Sequence, residues 1–565
     1  MQKQRMPVGN TNFAEIRENG FYYIDKTNLI DHIINDINAK VTLITRPRRF
    51  GKTLNMSMLN CFFDIRKDSS PIFEGLAIME NKELCSEWMN RYPTIYLSFK
   101  EVGGITFDLA YGRLKALLQA LYREYYFLTE NLKDEDNIKM QFKRICSDQI
   151  TETDISCSLK LLSQLMYEYY QKPIVLLIDE YDVPMAKGSS NGYYREITDV
   201  MRYMLSNALK DNPYLRLSVM TGCLRIAKES IFTGVNHLYV DSVGSIGLDE
   251  YFGFTDREMD KLLSDTDLIE YKQVFKSWYD GYRFGDKDIY CPWDVLNYVS
   301  DLQKKPGIAP KNYWTNTSGN EIIKEYLDSG MDLSDDIETL IGGGYIEKII
   351  NEDITYEDLT STEENFWSVL LMTGYLTSVS GEKYVRLMEK GQYYYERNEE
   401  PKTKLRLVNN EIRELFAGTV AVWFNENIVK DERTELFNAI WSGNDEALSE
   451  IISDYLYQTI SYFDYNENYY HAFLTGLLSG VKHCSVSSNL EAGLGRADII
   501  IKNKPNRRVA IFEVKRAKNE DEMPKLCDEA LRQIDEKKYY KPYKRETVLK
   551  YGVTFFEKDC LVKRA

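Results

Sequence analysis

The chain has 565 residues, 44% of them hydrophobic and 28% charged, and its 71 Lys/Arg against 87 Asp/Glu leave a net charge of −16. The length has room for about three to four domains. The composition excludes wholesale disorder, and the acidity argues against a surface coated with nucleic-acid-binding charge. The charge is uneven: residues 501–565 hold 18 Lys/Arg and 11 Asp/Glu, a local +7 on a body of −23, which points to two parts with different partners. Apolar runs such as Ile174–Ile178 stay far below the ~18 residues of a membrane span. The opening MQKQRMPVGN has no apolar stretch behind its positive charge, so neither membrane association nor a signal peptide is expected. Nine cysteines without a C-x-x-C, and four histidines with no cysteine partner, fit reduced thiols in a cytoplasm and no structural zinc.

In chain order, residues 1–250 alternate short apolar strands (Val41–Thr45, Thr94–Phe99, Ile174–Ile178, Arg216–Thr221) with helical stretches, the pattern of an α/β fold with a mostly parallel sheet. Residues 251–455 read mainly as amphipathic helices with polar turns, among them Asn365–Thr373 ending at Gly374, and Asn410–Phe416. Residues 456–565 form a second, small α/β unit: a helix, strands Ala497–Lys502 and Val509–Val514, then a charged helix.

The first strand runs into Arg46-Pro47-Arg48-Arg49-Phe50-Gly51-Lys52-Thr53 and a helix from Leu54. Strand, tight loop, Gly-Lys-Thr and helix form the arrangement in which backbone N–H groups and a helix N-terminus cradle phosphates. Lys52 is expected to reach the β/γ-phosphates of ATP and Thr53 to hold Mg²⁺. Arg46 stands where the usual pattern has Gly, and a chance Gly-Lys-Thr in a βα turn is the alternative. The run Ile174-Val175-Leu176-Leu177-Ile178-Asp179-Glu180 is a continuous apolar strand ending in two carboxylates, as a parallel strand covered on both faces reads. Asp179 is expected beside the loop to hold Mg²⁺, and Glu180 to polarise the attacking water; a strand followed by a surface acidic turn is the bland reading. Thr221, closing the fourth strand, and Arg225 are candidate sensors of the γ-phosphate, with a solvated position equally open for Arg225.

The order of these segments resembles the bacterial and archaeal AAA-ATPase-like proteins that carry a C-terminal nuclease-like domain of the PD-(D/E)XK superfamily. The residues that carry the likeness are Pro7-Val8-Gly9, Tyr22-Tyr23-Ile24-Asp25-Lys26-Thr27, the loop from Arg46 to Thr53, Ile178-Asp179-Glu180-Tyr181-Asp182, Trp278-Tyr279-Asp280-Gly281-Tyr282-Arg283-Phe284, Pro292-Trp293-Asp294-Val295-Leu296-Asn297, and Phe366-Trp367 with Gly374-Tyr375-Leu376. The resemblance spans nearly the whole chain and absorbs the Arg46 departure. It implies a P-loop NTPase core with a mostly parallel sheet, a helical middle region (a winged helix being one form of it), and a small restriction-endonuclease-like C-terminal domain. It also implies that Pro7-Val8-Gly9 lies near the adenine and that the Trp278–Phe284 segment belongs to a helical lid.

Near the C-terminus, Asp498 opens an apolar strand, and Glu513-Val514-Lys515 closes another. Alternation puts Glu513 and Lys515 on one face, about 6–7 Å apart along the strand. Two neighbouring strands can present Asp498 and Glu513 as a hard-oxygen site for Mg²⁺, with Mn²⁺ an alternative. Lys515 can then orient water toward a phosphodiester. This is the PD-(D/E)XK arrangement, and by likeness to the superfamily Glu467 and Gln533 join it. The structural alternative is a cross-strand charge pair blunting an edge strand. Arg496, Lys502, Lys504, Arg507, Arg508, Lys515, Arg516 and Lys518, with Lys537-Lys538 and Tyr539-Tyr540, suggest a face that tracks DNA or RNA; a solvated charged face is the plain reading. The other tyrosines among the 42 are expected in packing.

Two functions follow: an ATPase whose nucleotide state gates a Mg²⁺-dependent nuclease, or a nucleotide-switched interaction protein whose C-terminal domain only binds. A homo-oligomer in which Arg225 or Arg283 serves a neighbouring subunit is a further expectation.

Overall fold

The computed structural model describes the chain apart from residues 1–3, 131, 134, 226–236, 315–333, 353, 355, 357, 358, 360, 380–401, 417, 420–432, 460–466, 479–483 and 493–494. For a few residues inside helices and strands, Glu467 and Arg496 among them, only the backbone is described. The chain divides into two units, Met1–Tyr313 with Glu347–Asn409, and Trp314–Ile346 with Asn410–Ala565.

In the first unit, β1 (Val41–Thr45), β2 (Thr94–Ser98), β3 (Ile174–Asp179), β4 (Leu215–Gly222) and β5 (Leu238–Asp241) form one parallel sheet in the order β2-β3-β4-β1-β5. Every residue of β1 and β3 is buried, as expected for strands covered by helices on both faces. The register aligns the C-terminal ends: Thr45 pairs with Gly222 and Ser98 with Asp179. Ligands of open parallel sheets bind at that edge. The strand Leu238–Asp241 has only four residues, too short for its periodicity to be read.

Elsewhere in this unit the described residues form helices and two small sheets that the sequence pattern did not signal. Strands β6 (Phe254–Thr255), β7 (Tyr282–Phe284) and β8 (Lys287–Tyr290) pair antiparallel in the order β6-β8-β7. Gly285 turns the β7–β8 hairpin at φ +49, and a Cβ there would stand 2.5 Å from Ser245 O. Then β9 (Ile346–Lys348), β10 (Leu376–Ser378) and β11 (Thr403–Leu407) form a second three-stranded sheet. Helix Glu363–Thr373 ends at Gly374 in the left-handed conformation, as read from the sequence, and residues 410–416 are helical.

The second unit is built on a mixed sheet, β12 (Cys484–Ala492), β13 (Gly495–Asn503), β14 (Arg508–Arg516), β15 (Thr547–Phe556) and β16 (Asp559–Arg564), in chain order across the sheet. Only β14 and β15 run parallel, and helix Met523–Glu536 makes the crossover between them, as parallel neighbours require. Helix Glu467–Leu478 packs Tyr470, Leu474 and Leu477 on the face carrying Ile499, Ile501 and Phe512. The opposite face buries Ala497, Ile500, Val509 and Ile511 with Ile534 and Tyr539.

Candidate functional site

The loop after β1 delivers its chemistry through two left-handed residues. Arg49 (φ +72) and Gly51 (φ +83) flank Phe50, and helix Lys52–Phe63 begins directly after Gly51. Such alternation turns successive N–H groups toward one concavity, where the helix N-terminus adds its partial positive charge. Lys52 Nζ is buried and donates to the carbonyls of Arg46 (2.9 Å) and Pro47 (2.8 Å), with Cys223 Sγ at 3.7 Å. The ammonium is therefore held across the loop itself.

Asp179, fully buried at the end of β3, is the centre of the site. Thr53 Oγ1 donates to its Oδ2 (2.9 Å), and Thr221 Oγ1, at the end of β4, donates to its Oδ1 (2.6 Å). A hydroxyl beside a carboxylate, both oxygen donors, fits Mg²⁺, which binds few protein ligands and takes phosphates and water for the rest. Glu180 follows in the left-handed region at φ +52. Burial pushes its carboxyl above the ordinary value; Asp179 and Asp182 add to this, while Lys52 opposes it. Such a group is suited to accepting a proton. The structure thus brings Lys52, Thr53, Asp179, Glu180 and Thr221 together. Arg225 is half-buried beside residues 226–236, which lie outside the described residues.

The loop's other side chains divide: Arg48 lies close to Cys223, Tyr356 and Asp182, whereas Arg49 and Phe50 turn away, as does Arg46, which corrects the expectation for that residue. Its guanidinium is fully buried, pairs with the Asp241 carboxylate at the end of β5, and donates to Thr45 O (2.8 Å). It serves as a brace between the loop and β5, and only its backbone remains for a phosphate. Arg49 donates to Tyr313 O and lies over Trp293, 4.6 Å from the ring centroid. Phe50 is buried between Tyr282 (4.7 Å) and Phe284 (5.0 Å). The Trp278–Phe284 motif therefore grips the loop by Phe50. Pro7, Tyr23, Gly51, Leu54, Phe254 and Leu296 line a cavity of ≈ 70 Å³ next to the loop, too small as it stands for a nucleobase. Arg283, on β7, pairs with Asp288 (3.2 Å) on β8.

In the second unit the pairing of β13 with β14 ends at Ile499 with Phe512; Asp498 and Glu513 each stand one residue beyond that last pair, close enough for the Asp498 charge to act on the Glu513 carboxyl. β14 is the central strand of five, which removes the edge-strand reading of Glu-Val-Lys. Glu513 is 1% exposed. Its Oε1 is met by Gln533 Nε2 and lies 3.6 Å from Lys515 Nζ, whereas its Oε2 is buried with no hydrogen-bond partner. Burial, reinforced by the Asp498 charge and opposed by Lys515, raises the Glu513 carboxyl to about 8. Asp498 Oδ2 accepts from Val514 N (2.8 Å). Among the described residues no three His, Cys, Asp or Glu gather as a metal cluster. The buried oxygen without a partner, beside a second carboxylate, is nonetheless the acceptor that a hard cation would satisfy.

Gln533 reaches Glu513 because its helix lies unusually close to the sheet. Gly552, paired with Glu513 on β15, would bring a Cβ to 2.3 Å from Cys527 O. Glu467 is the first residue of helix Glu467–Leu478, and its side chain lies outside the described residues. His471, which the sequence did not single out for the site, also contributes, its Nε2 lying 3.0 Å from Asp498 O; Tyr539, expected on a face that tracks nucleic acid, is instead buried with its hydroxyl 3.4 Å from Gln533 Nε2. His471 stands four residues after Glu467, a spacing that puts both on one helix face. Tyr539 is therefore a packing residue rather than a base-stacking one. The basic flank also splits. Lys504 and Arg507 lie in the β13–β14 turn, with Arg508 at the start of β14 bonded to Trp441 O (2.9 Å). That end is roughly 16 Å along the strand from Glu513; Lys515, Arg516 and Lys518 lie at the carboxylate end, as does the backbone of Arg496, two residues before Asp498 on β13.

Residues 7–232 match the family model of predicted AAA-ATPases, and residues 465–565 match that of the PD-(D/E)XK nuclease superfamily. The chain joins an AAA-ATPase-like domain to a PD-(D/E)XK nuclease-superfamily domain. The AAA-ATPase-like match contains the loop, Asp179, Glu180 and Thr221; the nuclease-superfamily match contains Glu467, Asp498, Glu513, Lys515 and Gln533. A curated relative described as "Uncharacterized protein in vnfD 5'region", from Azotobacter chroococcum mcd 1, is 23% identical over 336 residues, which cover 58% of this chain and 57% of the relative. The match thus spans little more than half of either protein. Among the described residues no helix is long and apolar enough to cross a membrane.

Proposed function

We propose that the AAA-ATPase-like domain hydrolyses ATP and that its nucleotide state gates cleavage of DNA or RNA phosphodiesters at Asp498, Glu513 and Lys515. The observation that carries the second half is the Glu513 carboxylate: central in its sheet, within reach of the Asp498 charge, with one buried oxygen unpartnered. A carboxylate that served only to pair with Lys515 would not be left so. Mg²⁺ or Mn²⁺ held by Asp498 and Glu513 would supply Lewis-acid polarisation of the phosphate and a water of lowered pKa. Lys515 orients the attacking water, and Gln533 fixes the Glu513 carboxylate. At the nucleotide site, Lys52 binds the β/γ-phosphates, Thr53 and Asp179 hold Mg²⁺, Thr221 senses the γ-phosphate and Glu180 takes the proton of the attacking water. The division into an ATPase part (1–250), a middle region (251–455) and a nuclease part (456–565) belongs to the same proposal. So does a second copy supplying Arg225 or Arg283.

The test is a Mg²⁺-dependent cleavage assay on a mixed DNA and RNA panel with ATP present. Glu513→Ala and Asp498→Ala should each lower cleavage by about 10²–10³-fold while leaving ATP turnover intact. Unchanged cleavage would remove the site assignment and favour a C-terminal domain that only binds.

A further inference from the structure

Residues Glu347–Asn409 belong to the first unit, yet the stretches before and after them, Trp314–Ile346 and Asn410–Ala565, belong to the second. The inserted segment is thus joined by peptide bonds at both ends to the unit that carries Asp498 and Glu513. Within the first unit it touches the loop and the ends of several parallel strands. Gly374 (φ +90) abuts the loop: a Cβ there would stand 3.0 Å from Pro47. Glu352 Oε2 accepts from Ser242 Oγ (3.0 Å), one residue beyond β5.

The third contact is the most informative. Tyr356 donates its hydroxyl to Asp182 Oδ2 (3.1 Å). The same oxygen accepts the backbone N–H groups of Cys223 (2.8 Å) and Leu224 (3.1 Å). Those amides follow directly on the end of β4, where Thr221 is bonded to Asp179. Asp182 is 2% exposed, and its Oδ1 has no hydrogen-bond partner. A buried carboxylate with every bond on one oxygen carries a desolvation cost that a rearrangement of its partners can relieve. Such a group is a candidate two-state element.

We propose that the inserted segment reads the nucleotide site through the Asp182–Tyr356 contact, with Tyr356 the positioning residue that links the end of β4 to residues 347–409. This rests on the ATP-binding reading and names the route by which that site would act on the rest of the chain. A ligand that shifts Thr221 relative to Asp179 moves the Cys223 and Leu224 amides. Asp182 then re-pairs, and Tyr356 carries the change into a segment anchored at both ends in the second unit.

Amide hydrogen exchange on the full chain, with and without ATP and Mg²⁺, tests this. In the wild type, ATP should change the exchange of peptides covering residues 347–356. Tyr356→Phe removes one hydrogen bond and keeps the ring; it should hold ATP affinity within about twofold and reduce the nucleotide-dependent change about fivefold, the equilibrium effect of one net hydrogen bond. Glu352→Gln, at a second contact, should give a smaller reduction. A wild type that fails to bind ATP removes the ATP-binding reading itself. A wild type that binds, with Tyr356→Phe and Glu352→Gln responding as it does, overturns the proposed route alone.

Discussion

The two sites reach their geometry in opposite ways. At the nucleotide loop the central carboxylate is satisfied: Asp179 receives Thr53 on one oxygen and Thr221 on the other, and Lys52 is held by the carbonyls of Arg46 and Pro47. In the nuclease-superfamily domain the central carboxylate is left short, with Glu513 Oε2 buried and unpartnered and the carboxyl raised to about 8. One site is closed by its own hydrogen bonds; the other stores an electrostatic cost that a cation would relieve. The first should therefore tolerate chelation with little change in stability, whereas the second should change its protonation and its stability with metal.

The largest effect is expected at Arg46. Replacing it with the Gly of the usual loop pattern should not improve the site. Asp241 would be left buried without its guanidinium, at a cost of about 3–5 kcal/mol, read as a fall in the denaturation midpoint of the first unit. A neutral or stabilising Arg46→Gly would mean that the pair is not the brace described above.

Next in size is the pH behaviour of Glu513 in chelator. A carboxyl raised from its ordinary value of 4.5 to about 8 binds more proton in the folded than in the unfolded chain across that interval. Stability contributed by this group is therefore present at low pH and lost as pH rises from about 5 to 8. Glu513→Gln should remove that slope, and Mg²⁺ should reduce it in the wild type; melting curves at stepped pH measure both. Cleavage, which needs the carboxylate, should rise over the same interval.

A smaller effect is expected at Gly552. Gly552→Ala forces helix Met523–Glu536 off β15, because its Cβ has only 2.3 Å to Cys527 O. Overpacking of this kind costs about 1–3 kcal/mol. Gln533 should retreat from Glu513, weakening cleavage while ATP hydrolysis continues unchanged.

What was legible in the sequence follows from how local each signal is. The loop, from Arg46 to Thr53, is one contiguous string between an apolar strand and a helix, and Asp179 ends the most apolar run in the chain, so both could be read in place. The direction of the Arg46 side chain could not, since its partner Asp241 lies 195 residues away at the end of a four-residue strand. In the second unit, two strands and the shared face of Glu513 and Lys515 follow from alternation. That β14 is central depends on β12, β15 and β16, whose pairing is set by tertiary contacts; β12 carries the run Ser-Val-Ser-Ser-Asn, with little apolar alternation. The same distance in sequence hid His471 and split the basic flank between the two ends of β14. The +7 of residues 501–565 therefore misled in one respect: part of that charge sits at the turn, away from the carboxylates.

On the proposed function, the satisfied site controls the unsatisfied one. This control is tested most directly by measuring Mg²⁺-dependent phosphodiester cleavage by the full chain without nucleotide and with ATP, in the wild type and in Lys52→Ala, whose Asp498, Glu513 and Lys515 are untouched. ATP should change cleavage by the wild type, and Lys52→Ala should cleave at one rate under both conditions. Cleavage by the wild type that is the same with and without ATP would contradict that control.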